Sequence, residues 1–167
     1  KNTPGHHDYC FIFIGNRINV LEKILKNDNL ELNKIFVLKH SPLHHWIINL
    51  ELQYELFDLG IDSKETIIEY LKKSNGYLLI SNGCPFKLPI KELKTKDNIF
   101  INIHPTYLPE LKGKTPLNGV LYLKYDFVGA TMHFMDDGID TGNIIYKEKV
   151  TIGPDVDQGL IYYLSFL

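Results

Sequence analysis

The stretch Asn98-Ile-Phe-Ile-Asn-Ile-His-Pro105 decides how this chain folds. Ile99 to Ile103 is a short, apolar, β-branched run, the composition of a strand buried on both faces. Asn102 and His104 interrupt its end, and Pro105, which has no N–H to give, stops the ladder. Residues two apart in a strand point to the same face. A carboxamide and an imidazole are therefore expected side by side where a buried strand runs out. In open parallel sheets, ligands are held beyond the carboxyl ends of the strands. On these residues alone, a polar strand end satisfied by a neighbouring loop is an equal reading.

Working back from this strand, Tyr77 to Ile80 reads as another buried strand, running into the turn-forming loop Ser81-Asn82-Gly83-Cys84-Pro85. Small residues at a strand's carboxyl end let a flat ligand approach closely; a plain turn explains them equally well. Pro89 to Leu93 reads as a short helix. Before it, Asp62-Ser63 is expected to cap a helix from Lys64 to Lys73, with Ile67, Ile68 and Leu71 inward and Gly76 as its C-terminal cap. Tyr9 to Ile14 is a strongly β run, Gly15-Asn16 turns the chain, and Ile18 to Lys26 has helical apolar spacing. Lys34 to Leu38 is the second strand, and His40 to Leu59 has mixed periodicity. Strand, glycine turn and helix open a doubly wound α/β unit. With a single glycine, neither the dinucleotide fingerprint nor the P-loop is matched.

Working forward, Pro105 to Pro116 contains three prolines and one glycine, so it reads as a rigid loop wrapping the strand end. Thr115 to Leu123 reads as a helix and Gly129 to Met135 as a strand. The strand leads into Asp136-Asp-Gly-Ile-Asp-Thr-Gly142, three carboxylates and two glycines in seven residues. Asn143 to Tyr146 and Glu148 to Ile152 read as extended, and Asp155 as the cap of a last helix. The expected fold is a Rossmann-like, doubly wound α/β domain with a mostly parallel sheet.

Composition bounds the function. The chain has 167 residues, one domain's worth, with 44% apolar residues, 23% charged and a net charge of −2. There is no basic excess of the kind a nucleic-acid binder uses, and no apolar run approaches a membrane span. Cys10 and Cys84 form neither a metal spacing nor a disulfide framework, which points to a reducing cytoplasm. The pairs His6-His7 and His44-His45 read as incidental; adjacent residues share no face of a helix or strand, so no metal site is expected. The chain opens at Lys1 without a methionine and stops at Leu167 inside an amphipathic stretch, as a portion of a larger protein does.

The polar groups gather on two strand-end loops: Asn102 and His104 on one, and Asp136, Asp137 and Asp140 on the other. A carboxylate near an imidazole raises its pKa and fixes its orientation. A carboxamide N–H beside it can donate to an oxygen on which negative charge develops. Such a set suits acyl transfer through a tetrahedral intermediate without a Ser or Cys nucleophile. The acidic loop has two rival readings, a metal site, for which the calcium-loop spacing is missing, and a solvated turn.

Asn102-Ile-His-Pro105, Leu108-Pro109, Gly113-Lys-Thr-Pro116, Gly129-Ala-Thr-Met-His133 and Gly138-Ile-Asp-Thr-Gly142, in this order, resemble the 10-formyltetrahydrofolate-dependent formyltransferases. The resemblance runs from about Tyr77 to Ile152 and implies that residues 1–167 form a single formyltransferase catalytic domain, cut short at its C-terminal end. It implies an Asn-His-Asp triad at Asn102, His104 and Asp140, and N10-formyltetrahydrofolate as formyl donor. The pterin would lie between the Gly83-Cys84-Pro85-Phe86 loop and the Met135-Asp136-Asp137 loop. His133 matches a strand position of the family and is expected to be structural.

The run His133 to Gly142 looks most like the sugar-nucleotide members, which implies a small-molecule amine, a nucleotide-linked amino sugar, as acceptor. Neither a nucleic acid nor a membrane partner is implied, and a homodimer is compatible with the resemblance. Gly15-Asn16-Arg17-Ile18-Asn19 departs from the phosphate loop of the glycinamide ribonucleotide enzymes. The methionyl-tRNA enzymes share the pattern of Gly113 to Pro116, usually with Arg where Lys112 stands. A formyltetrahydrofolate hydrolase and a catalytically silent folate-binding module are the readings from other classes.

Overall fold

Alternation in the first strand explains the layering seen in the computed structural model, which describes residues 10–28, 30–110, 112 and 127–153. Ile12 and Ile14 of β1 (Cys10–Gly15) pack with Phe36, Ile67, Leu71, Leu79 and Phe100 on one side of the sheet. Phe13, the intervening residue, packs with Leu21, Ile24, Ile35, Val37, Leu43 and Ile47 on the other. Both faces of one strand are buried, so its run is apolar without interruption.

The helices divide accordingly. α1 (Ile18–Leu25) and α2 (Pro42–Ile47) supply the second cluster, and α3 (Ile61–Lys73) supplies the first. Around them run β2 (Leu32–Leu38), β3 (Glu55–Phe57), β4 (Tyr77–Asn82), α4 (Ile90–Leu93), β5 (Ile99–His104), β6 (Phe127–Phe134) and β7 (Ile144–Thr151).

Among the described residues the strands form one seven-stranded sheet of order β3-β2-β1-β4-β5-β6-β7. β3 to β5 are parallel, whereas β6 runs antiparallel to β5, and β7 to β6. The expected Rossmann-like, mostly parallel fold is therefore present. Its order reverses between β1 and β4, where the chain first goes one way across the sheet and then the other, and such a switch point opens a crevice.

Several local expectations need correction. α3 begins at Ile61, three residues before Lys64, and has no side-chain cap. Asp58 and Ser63 instead tie the preceding turn, with Asp58 Oδ1 accepting from Gly60 N and Ser63 Oγ from Asp58 N. The C-cap of α3 is Ser74 in extended conformation, and Gly76, at φ 65°, turns the chain into β4 instead of ending the helix. β4 reaches Asn82, two residues beyond the expected strand.

The region of mixed periodicity resolves into α2, with Ser41 Oγ accepting from His44 N and Pro42 at its first turn, and the short β3. The two extended runs after Gly142 are one strand, β7. The His6-His7 leader, the Thr115–Leu123 helix, the Gly113–Pro116 pattern and the Asp155 cap lie outside the described residues.

No helix among the described residues is long and apolar enough to cross a membrane.

Candidate active site

β5 is held from both sides, which fixes where its polar end points. It pairs with β4 as far as Ser81↔Asn102, and with β6 through Asn102↔His133 and His104↔Thr131. Asn82 extends the first pairing with its side chain, Nδ2 donating to Ile103 O at 3.1 Å. The loop after His104 is tied to β6 as well. Thr131 Oγ1 accepts from Leu108 N at 2.9 Å and donates to Thr106 O at 2.7 Å. A proline-rich loop so anchored leaves the strand end little freedom.

The antiparallel register places the ring of His133 beside the Asn102 carboxamide, with Nδ2 and Nε2 3.1 Å apart. Asp140 folds back over both from the loop after β6. Its Oδ2 lies 3.3 Å from His104 Nδ1, and its Oδ1 lies 3.3 Å from Asn102 Nδ2 and 3.5 Å from His133 Nε2. The side chains of His104, His133 and Asp140 are 4%, 3% and 10% exposed, so the contacts act where water screens little. Asn102, His104 and Asp140, predicted from the sequence, are thus brought together. His133, expected to be structural, joins them.

Hydrogen-bond bookkeeping fixes the tautomer of His133. Its Nδ1 lies 2.8 Å from Phe134 O, and a carbonyl only accepts, so Nδ1 carries a hydrogen. In the neutral ring Nε2 is then an acceptor for Asn102. In the imidazolium it donates to Asp140, and Asn102 recovers one of its two amide hydrogens. Burial pulls the pKa of His133 down, but the hydrogen bonds to Asp140 and Phe134 O and the charges of Asp140 and Asp136 outweigh it, so the net shift is upward. His104, whose Nδ1 faces Asp140, presents Nε2 as its other nitrogen for proton transfer.

These groups form the floor of a cavity of about 340 Å³. One wall is Gly83, Cys84, Pro85 and Phe86; the other is Met135, Asp136, Ile139 and Asp140. Gly83, at φ 83°, passes so close to Asn16 Oδ1 that a Cβ would lie 1.8 Å from it. Cys84, Phe86 and Met135 also pack on the core, which makes the walls rigid and largely apolar. Burial pushes the Cys84 thiol up to about 12, and its Sγ donates to Phe86 O, so it stays protonated and is no nucleophile near neutrality. Asp137 is not part of this lining; its Oδ1 accepts from Lys91 N at the start of α4.

Arg17, the N-cap residue of α1, also lines the cavity. Sequence reasoning singled out neither Arg17 nor a site role for His133. The glycine turn after β1 was the signal for the first; the second depends on the pairing of β5 with β6, which no local pattern encodes. Among the described residues no group of three or more His, Cys, Asp or Glu side chains is arranged to hold a metal ion.

An apolar slot over buried imidazoles, a carboxamide and one carboxylate can bind a flat molecule and stabilise an oxyanion. Residues 47–163 match the model of the formyl transferase family. A methionyl-tRNA formyltransferase of Syntrophus aciditrophicus is 37% identical over 95 residues, which are 57% of this chain and 30% of that protein. The matched stretch is therefore less than a third of that relative's length.

Among solved structures, the phosphoribosylglycinamide formyltransferase of Streptococcus pneumoniae TIGR4 superposes with a TM-score of 0.75 at 18% identity, over 94% of this chain and 90% of that one. An N-formyltransferase from Helicobacter canadensis, solved with folinic acid and dTDP-3-aminofucose, gives 0.71 at 23% identity, over 95% and 59%. At these identities the two likenesses are of fold. The family match spans more than half of the chain, and the chain belongs to the formyl transferase family.

Proposed function

We propose that this chain is a catalytic domain that transfers the formyl group of N10-formyltetrahydrofolate to the amine of a small acceptor, a nucleotide-linked amino sugar. The observation that carries the reading is the convergence of Asn102, His104 and Asp140 at the cavity floor, with Asp140 bridging the other two at 3.3 Å. The folate would lie between the Gly83–Phe86 wall and the Met135–Asp136 wall, which line the cavity over these three residues. Asp137, turned to α4, would act there through the shape of the loop.

When bound, the donor supplies an activated formyl carbon to which the acceptor amine adds, and the amine's proton leaves with the displaced folate nitrogen. The residues of this chain do the rest. Asn102 and protonated His104 face the oxygen on which charge develops. Asp140 holds the His104 imidazolium in place and accepts its Nδ1 hydrogen. His133, when protonated, turns its Nε2–H to Asp140 and frees an Asn102 hydrogen for the oxyanion. The apolar walls keep water from competing with the amine.

The amino-sugar acceptor rests on the run His133 to Gly142 and on the fold shared with an enzyme solved with dTDP-3-aminofucose. The 37% identity to a methionyl-tRNA formyltransferase favours a tRNA-borne amine as the second reading; the net charge of −2 opposes it within this chain. Calorimetric titration with 5-formyltetrahydrofolate, then with amino-sugar nucleotides, glycinamide ribonucleotide and methionyl-tRNA, separates these. Folate binding followed by one sugar nucleotide supports the proposal. Binding of tRNA instead, or of no folate, overturns it.

A further inference from the structure

The loop that delivers Asp140 is laced in a way the triad chemistry itself does not require. Asp136 Oδ1 accepts from Gly138 N at 2.8 Å and from the Thr141 hydroxyl at 2.6 Å. Gly138 makes the second contact possible, since a Cβ there would lie 1.8 Å from Thr141 Oγ1. At the far end Gly142 runs so close beneath β6 that a Cβ would lie 1.6 Å from Phe134 O. Asp140 sits between these two pinned points with φ 52°, a left-handed conformation that a non-glycine residue keeps only where its surroundings enforce it. Its carboxylate reaches Asn102, His104 and His133 at once, which tolerates little displacement.

We propose that the Thr141–Asp136 hydrogen bond is a clamp that holds Asp140 in its left-handed conformation and so places its carboxylate between the two imidazoles. Thr141 is a positioning residue, because its hydroxyl is spent on Asp136. Asp136 acquires a second duty beside lining the cavity. Thr141 thereby joins Asp140 in the machinery, although its hydroxyl is bonded to Asp136. The catalytic consequence rests on the proposed formyl transfer; the clamp itself does not.

The test compares Thr141→Val, which keeps the shape and removes the hydroxyl, with Thr141→Ser, which keeps the hydroxyl. The first readout is the NMR titration of the His133 imidazole in the unliganded protein, where Asn102 from β5 and Asp140 and Asp136 from the loop face the ring. Thr141→Val is expected to lower the His133 midpoint by about one pH unit. It should also lower kcat by roughly 10- to 100-fold, a larger factor than any rise in KM for the formyl donor. Thr141→Ser should restore both.

A His133 midpoint unmoved by Thr141→Val overturns the clamp, and so does a Thr141→Ser variant as impaired as valine. Thr141→Ala removes the same hydroxyl with a smaller side chain and is read identically if valine does not fit. Absence of turnover in the unaltered protein would sink the formyl-transfer reading alone, because the titration still decides the clamp.

Discussion

Replacing Asp140 by Asn keeps the size of the side chain and removes its charge. The carboxylate contacts two imidazole nitrogens at 3.3 and 3.5 Å while its own side chain is 10% exposed. A buried hydrogen bond to a charged group contributes a net of about 1.5–3 kcal/mol, and one pKa unit corresponds to about 1.4 kcal/mol. The upward shift of His133 depends on Asp140 by both hydrogen bond and charge. Its titration midpoint should therefore fall by roughly 1–2 units in Asp140→Asn.

The same substitution removes the group that holds the His104 imidazolium, and loss of one preorganised electrostatic partner costs about 10²–10³ in kcat. The assay is imidazole NMR across the titration range, paired with formyl-transfer kinetics on the same samples. A His133 midpoint that stays in place, or turnover equal to the unaltered protein, refutes the electrostatic coupling of this cluster.

Three further predictions follow from other parts of the structure. His133 has its folded-state pKa raised above its ordinary value of about 6.5, so its contribution to stability is fully present below that pH and is lost as pH rises through the folded value. The stability gap between the unaltered protein and His133→Gln, measured by urea unfolding, should accordingly shrink as pH increases. Gly142→Ala forces a Cβ against Phe134 O and should cost about 1–3 kcal/mol in the same assay, with transfer activity falling alongside. Tyr77 is fully buried, its hydroxyl has no hydrogen-bond partner among the described residues, and burial pushes its pKa up to about 12. Tyr77→Phe should therefore be neutral or stabilising by up to about 1 kcal/mol, and a clear loss of stability would show that the hydroxyl is satisfied.

The order in which these features became readable follows their physics. β1 and β2 bury consecutive residues, and β4 and β5 mix buried with half-buried ones, so no face is fully solvated and each strand announces itself as an apolar run. α1 and α3 bury one stripe each and show helical spacing, although the start of α3 was displaced because Asp58 and Ser63 tie a turn instead of capping. β3 and α2 escaped because each is short and only partly buried, so neither period develops.

Asn102 and His104 were legible as a pair, since two residues apart in one strand must share a face. His133 was not, because its meeting with Asn102 depends on the antiparallel register between β5 and β6, which no local pattern encodes. The acidic loop was legible as chemistry but not as geometry. Its three carboxylates look alike in sequence, yet Asp136 ties the turn, Asp137 meets α4 and Asp140 reaches the imidazoles.

The most direct test of formyl transfer at this site is a single-turnover experiment with N10-formyltetrahydrofolate labelled in the formyl carbon, mixed with the protein and an amino-sugar nucleotide. The account predicts label in the N-formyl group of the sugar, and none transferred when His104 is replaced by Ala. Label released as formate in the presence of the amine, or transfer that persists without His104, would contradict it.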